Sequence, residues 1–116
     1  MKIGELAKRC SVSKDTIRLY TKLDLISCRQ KAAGSRFYAE YDESTVELVK
    51  GIRIAQSIGF TLAELKPIAN EYALKGIAPE RERALLHAKL KEIAEKRKYL
   101  DLLTKNIQEK LDRLED

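Results

Sequence analysis
Histidine occurs once in this chain of 116 residues, and cysteine and proline twice each. These scarcities exclude whole classes of chemistry. Cys10 and Cys28 have no further soft ligand nearby, so no cluster has metal-ligand spacing. His87 lies one residue from an apolar seam position, Leu86, and reads as a flanking residue rather than a base. With no other catalytic constellation, no enzyme activity and no cofactor is expected. Two cysteines in a Lys/Glu-rich chain read as reduced thiols, Cys10 buried between helices and Cys28 the candidate for reactivity. There is no apolar run of about 18 residues and no segment resembling a signal peptide, which points to a soluble cytoplasmic protein without a membrane partner. The length suits one domain, or one domain plus an appendage, and is short for an enzyme with its own deep cleft.

Charge is plentiful and unevenly placed. Residues 1–41 hold nine Lys/Arg against four acids, whereas residues 42–116 hold fourteen of each. The whole net charge of +5 therefore sits on the first third, which argues for a polyanionic partner met there. A basic solvated surface without a partner is the plainer alternative.

Ile3, Leu6 and Ala7 follow the i, i+3, i+4 pattern of a short amphipathic helix over residues 3–9. A Ser-Val-Ser corner follows. Ser13 is placed to cap a second helix, with Asp15 in its first turn and Ile17, Leu19 and Leu23 as its packing residues. Leu25 and Ile26 close this helix-turn-helix, and "SCRQKAAGSRFYAEY", with Gly34 at its middle, reads as a β-hairpin or wing. In the next helix Val46, Val49, Ile52, Ala55 and Ile58 recur every three residues up to Gly59, a C-cap position. Thr61 and Glu64 then form a capping box flanked by the staple pair Phe60 and Leu65. Pro67, six residues past the cap, predicts a kink or break. The organisation expected is a head over 1–74, a connector over 75–79 and a helix over 80–116.

That last segment contains neither Gly nor Pro. Leu86, Leu90, Ile93, Arg97, Leu100, Thr104, Ile107, Leu111 and Leu114 alternate in steps of four and three, the seam of a coiled coil interrupted at Arg97 and Thr104. A single helix cannot cover its own stripe, and the preceding helices are too short to do so. An intermolecular partner is expected, with Leu86, Leu90, Ile93, Leu100, Ile107 and Leu111 at a dimer interface.

On the second helix Lys14, Arg18 and Lys22 are spaced by four and share a face, with Thr16 and Tyr20 near it. Donors in that arrangement suit phosphates and base edges, Arg18 above all, because its planar fork makes two parallel hydrogen bonds. In the hairpin, Arg36 with Phe37 and Tyr38 suits the backbone or minor groove beside that helix. The alternative is that Phe37 is core and Arg36 caps a turn. Arg53, on the following helix, either supports the same surface or is an ordinary surface residue.

Taken together, "IGELAKRCSVSKDTIRLYTKLDLI", the basic "GSRFY" wing, "DESTVELVKGIRIAQSIGFTLAELK" and the terminal heptads resemble the mercury-resistance-regulator (MerR) family of bacterial transcription regulators. The resemblance implies a mainly α winged helix-turn-helix head joined to a dimerisation helix that forms an antiparallel coiled coil. It implies a homodimer that binds promoter DNA and regulates transcription by bending and untwisting it, beside RNA polymerase. The family's DNA-contact positions match Ser13, Lys14, Thr16, Arg18, Tyr20 and Lys22. Its wing Arg matches Arg36, and its wing Tyr matches Tyr38 or Tyr41. Asp24 stands where the family commonly has Gly, and Cys28 where it commonly has Pro. Pro79–Leu86 has no cysteine of the metal-sensor kind, and no recognised effector module is evident. Two competing readings keep part of this picture: a protein-interaction adaptor docking through its coiled coil, and an architectural or excisionase-like DNA protein.

Overall fold
The computed structural model describes residues 1–115, side chains at 73–75 excepted. In chain order the elements are α1 (Ile3–Cys10), α2 (Lys14–Lys22), β1 (Arg29–Ala33), β2 (Arg36–Glu40), α3 (Ser44–Ser57), α4 (Leu62–Lys75) and α5 (Pro79–Glu115). They divide into two compact units after Ile77.

Three helices of the first unit end in the same way. Ser11, Asp24 and Gly59 each take a left-handed backbone, with φ of 55°, 58° and 101°. Each of these residues and the one after it donate backwards into the helix just completed. Ser11 and Val12 reach Lys8 and Ala7, Asp24 and Leu25 reach Thr21 and Tyr20, and Gly59 and Phe60 reach Gln56 and Ala55, at 2.9–3.2 Å. These bonds satisfy carbonyls that a helix end otherwise leaves open. Asp24 thus occupies a backbone conformation that glycine adopts without steric cost, which accounts for glycine being common there in the family it resembles.

Helix starts are equally local. Ser13 Oγ accepts from the Thr16 amide at 3.0 Å. At α4 the Glu64 amide donates to Thr61 Oγ1, and the Thr61 amide donates to Glu64 Oε1, both at 3.2 Å, while the staple residues Phe60 and Leu65 are buried. Asp42, which sequence reading passed over, organises the start of α3: its Oδ2 accepts from the Ser44 amide at 3.2 Å and the Ser44 hydroxyl at 2.6 Å. These bonds hold its carboxyl below the usual range. The break expected at Pro67 does not occur, because α4 runs unbroken from Leu62 to Lys75. Pro67 and Ala63, whose carbonyl loses its partner to the proline, are both exposed, so water can take the place of the missing bond.

The antiparallel hairpin pairs Arg29 with Glu40 through Ala33 with Arg36, leaving Gly34 and Ser35 as a two-residue turn. Gly34 has φ +66°, a value suited to the first position of such turns. The chain's first residues extend this sheet. The Met1 amine donates to the Tyr41 carbonyl and the Tyr41 amide donates back to the Met1 carbonyl, each at 2.7 Å, and Lys2 bridges Glu40.

The core of the first unit is drawn from every helix in it: Leu6 and Cys10, Ile17 and Tyr20, Val46, Val49 and Ile52, and Leu65 and Ala69, all buried. The Cys10 thiol lies 3.7 Å from the Val46 carbonyl, and burial pushes its pKa up, as expected of a packing thiol. Ile58, expected on the packed stripe of α3, is exposed because the helix ends at Ser57 and the chain turns away there.

The second unit is a single 37-residue helix, about 55 Å long at ~1.5 Å per residue. Pro79 opens it, where its missing N–H costs nothing. Glu92 holds the buried Lys89 at 2.7 Å and the exposed Lys96 at 3.1 Å. All of the apolar seam positions from Leu86 to Leu114 are exposed in the single chain.

Candidate nucleic-acid interface
Capping by Ser13 fixes where α2 begins and therefore which residues point outward. Ile17 and Tyr20 turn inward, so the outward face is centred on Asp15 and Lys22. At about 100° per residue, Lys14 and Arg18 form one flank of that face and Leu19 and Leu23 the other. Lys14, Arg18 and Lys22 are all exposed, as the spacing predicts. Arg18 donates to Asp15 Oδ1 at 2.8 Å across open surface. An exposed pair of this kind is worth about 0–1 kcal/mol, so it positions the guanidinium without holding it against a stronger anion. Ser13 and Thr16 lie at the helix start, their hydroxyls 2.9 Å apart.

Tyr20 requires correction. It retains 1% of its surface, and its hydroxyl donates to Gln56 Oε1 on α3 at 2.5 Å, which makes it a core residue rather than a DNA contact. With the cap at Ser13, positions 17 and 20 lie one turn apart on the inner side, and the phenol finds a polar partner there. Leu19 and Leu23, expected to pack, are outward instead, with 44% and 37% of their surface open. Residue type alone assigns leucine to the core and tyrosine to the surface, the reverse of what the helix phase gives. The signal available was the position of Ile17, which places Tyr20 and not Leu19 one turn away.

The wing sets Arg36 beside its turn, exposed. Phe37 is not core, since 72% of its surface is open. Tyr38 is half-buried with the Lys2 ammonium 4.6 Å from its ring centre, a cation–π contact. Tyr41 is buried, its hydroxyl 2.8 Å from Thr21 Oγ1 of α2, and burial raises its pKa. Of the two candidates for the wing tyrosine, only Tyr38 keeps an accessible surface. Lys31 lies 3.4 Å from Glu40, which half-neutralises the root of the hairpin and leaves Arg36 as the cation beside the tip. Arg53 is exposed on α3. Arg9, by contrast, is engaged with Glu43 at 2.7 Å and fastens α1 to the start of α3.

Among the described residues no group of three or more His, Cys, Asp and Glu side chains is arranged to hold a metal ion, and no helix is long and apolar enough to cross a membrane. The arrangement presents cationic donors on one helix flank and on the adjoining wing. That is suited to binding a polyanion.

Comparison with known proteins agrees with this geometry. Residues 1–72 match the family described as "MerR HTH family regulatory protein", and residues 46–114 match "MerR, DNA binding". A mercuric resistance operon regulatory protein of Bacillus cereus is 41% identical over 64 residues, covering 55% of this chain and 47% of that protein. The chain spans about half the length of the curated relatives it matches. Among solved structures, the transcription regulator PbrR691 from Ralstonia metallidurans CH34, in complex with lead(II), superposes with a TM-score of 0.75 at 25% identity, covering 94% of this chain and 83% of that one. HiNmlR, a MerR-family regulator lacking the sensor domain and bound to promoter DNA, shares the fold with a TM-score of 0.57 at 19% identity, covering 87% of this chain and 78% of that one. With a family match over more than half its length, on a helix-turn-helix head that carries a two-stranded wing, the chain belongs to the MerR family of helix-turn-helix regulatory proteins.

Proposed function
We propose that this chain is a homodimeric, sequence-specific DNA-binding transcription regulator that acts by distorting promoter DNA. The observation that carries the reading is the outward flank of α2, where Lys14, Arg18 and Lys22 are exposed on the part of the chain holding the whole excess of positive charge. In this reading α2 enters the major groove from its Ser13 end and Arg18 makes a bidentate contact to phosphate or guanine. Lys14 and Lys22 neutralise phosphates, with Thr16 as a further donor at the helix start. Arg36 and Tyr38 bring the wing to the flanking backbone, and Arg53 adds a contact from α3.

Dimerisation follows from α5. Its exposed apolar seam requires cover, and a second copy in antiparallel register supplies an identical stripe while holding two α2 helices apart. Half-sites one helical turn of DNA apart, about 34 Å, or a multiple of it, would then be met together. RNA polymerase is engaged by proximity on the same promoter, in the cytoplasm. Family membership and a DNA-bound neighbour of the same fold support this reading.

Titration against duplex DNA at rising salt tests it. A dimer neutralising several phosphates loses affinity steeply with salt, and a footprint shows two protected half-sites. A protein-interaction adaptor, which would use the same α5 stripe for another partner, shows almost no binding to any duplex.

A further inference from the structure
The apolar flank of α2 has no place in the contacts proposed above. Leu19 and Leu23 lie four residues apart on the outward face, on the opposite side of the Asp15–Lys22 line from Lys14 and Arg18. Leu19 is bracketed in sequence by the exposed Arg18 and the buried Tyr20, so its direction is fixed by a helix that cannot rotate without exposing a core phenol. A cationic flank suits phosphate oxygens and the guanine edge. A branched aliphatic side chain on the same inserted helix suits only the one apolar group that base pairs present in the major groove, the C5-methyl of thymine. Charge complementarity brings this helix to DNA, and the leucine then meets whatever lies on the groove floor or wall beside it. We propose that Leu19 is a specificity-determining residue that reads a thymine methyl in each half-site, with Leu23 shielding the same contact from water. This rests on the DNA-binding reading of α2.

The test uses the full chain and a duplex that it selects from a randomised library. Single thymines in the selected half-site are replaced by deoxyuridine, which removes the methyl and leaves every hydrogen-bonding group in place. One position is expected to lose about fourfold in affinity, the effect of burying roughly one methyl-sized group, and about fifteenfold when both half-sites are changed. In Leu19→Ala the same replacement changes affinity by less than about twofold, because the partner of the methyl is gone. Leu19 is exposed, so the variant should keep its thermal transition, and Leu19→Met, which retains an aliphatic contact, should keep part of the uracil sensitivity. Equal affinity for thymine and uracil duplexes at every position overturns the inference while leaving DNA binding intact. Equal uracil sensitivity in wild type and Leu19→Ala assigns the methyl to another residue and also overturns it. Failure to select any duplex overturns the DNA-binding reading itself, and the inference with it.

Discussion

Within residues 1–77, Leu6, Ile17 and Val49 are fully covered, whereas along α5 Leu90, Leu100 and Ile107 keep 63%, 60% and 62% of their surface. The head has a core; the long helix has only a stripe. An isolated helix gains little from local pairs such as Glu92–Lys96, which leaves the stability of α5 dependent on what covers its stripe. The difference teaches that sequence can specify a helix without its single-chain structure containing the contacts that make it worth forming. Stability of the head is intramolecular, and that of α5 is expected to vary with protein concentration.

Five substitutions break or sharpen this contrast. The largest effect is expected from Ile107→Glu, which places a carboxylate on the seam at a cost of roughly several kcal/mol if the seam is dry. Sedimentation should show monomers, specific DNA binding should disappear, and the head should still melt cooperatively. A dimer that still binds its site would show that the seam is not the interface. Next, Ile17→Ala empties a fully covered site in the head and should lower its stability by about 2–5 kcal/mol, measured by urea denaturation. If the head loses less than about 1 kcal/mol, its core is not organised as described.

Arg18→Ala should leave stability nearly unchanged and weaken specific binding by about 1–3 kcal/mol, while Lys22→Ala weakens binding to all sequences alike and lowers the salt slope by about one. Unchanged affinity in a folded Arg18→Ala protein would take the guanidinium out of the interface. The smallest effect belongs to Tyr20→Phe, which removes the donor to Gln56 and should cost about 1 kcal/mol of stability with affinity for DNA preserved below the melting range. The reverse pattern, lost affinity at unchanged stability, would return Tyr20 to the DNA surface.

Features governed by neighbours in sequence were the most legible. The Ser13 cap and the Thr61–Glu64 box depend on residues a few positions apart, and each is found where its pattern places it, as is the long helix in the segment without Gly or Pro. Of the three left-handed helix ends only Gly59 was visible, since Ser11 and Asp24 adopt the same conformation without the residue type that signals it. The inward turn of Tyr20 follows the phase that Ile17 sets, but its hydroxyl's partner, Gln56, lies thirty-six residues away, and no local pattern announces it. At Pro67 the local penalty is real, but solvent exposure reduces it, and the helix does not break there. At the site, the cationic flank was read from spacing alone, while the apolar flank beside it required knowing which residues the fold had already claimed.

The paired bonds between Met1 and Tyr41 also set an order of events during synthesis. Hairpins form in about 1–10 μs, but a ribosome adding about 5–20 residues per second needs roughly two to eight seconds to bring out the forty residues that follow Met1. Throughout that interval α1 has emerged without the strand that anchors its start or the α3 residues that cover Cys10. Closure of the head is therefore paced by translation rather than by chain diffusion, and the nascent α1 surface stays open to chaperones or self-association until α3, which follows the wing, has left the ribosome.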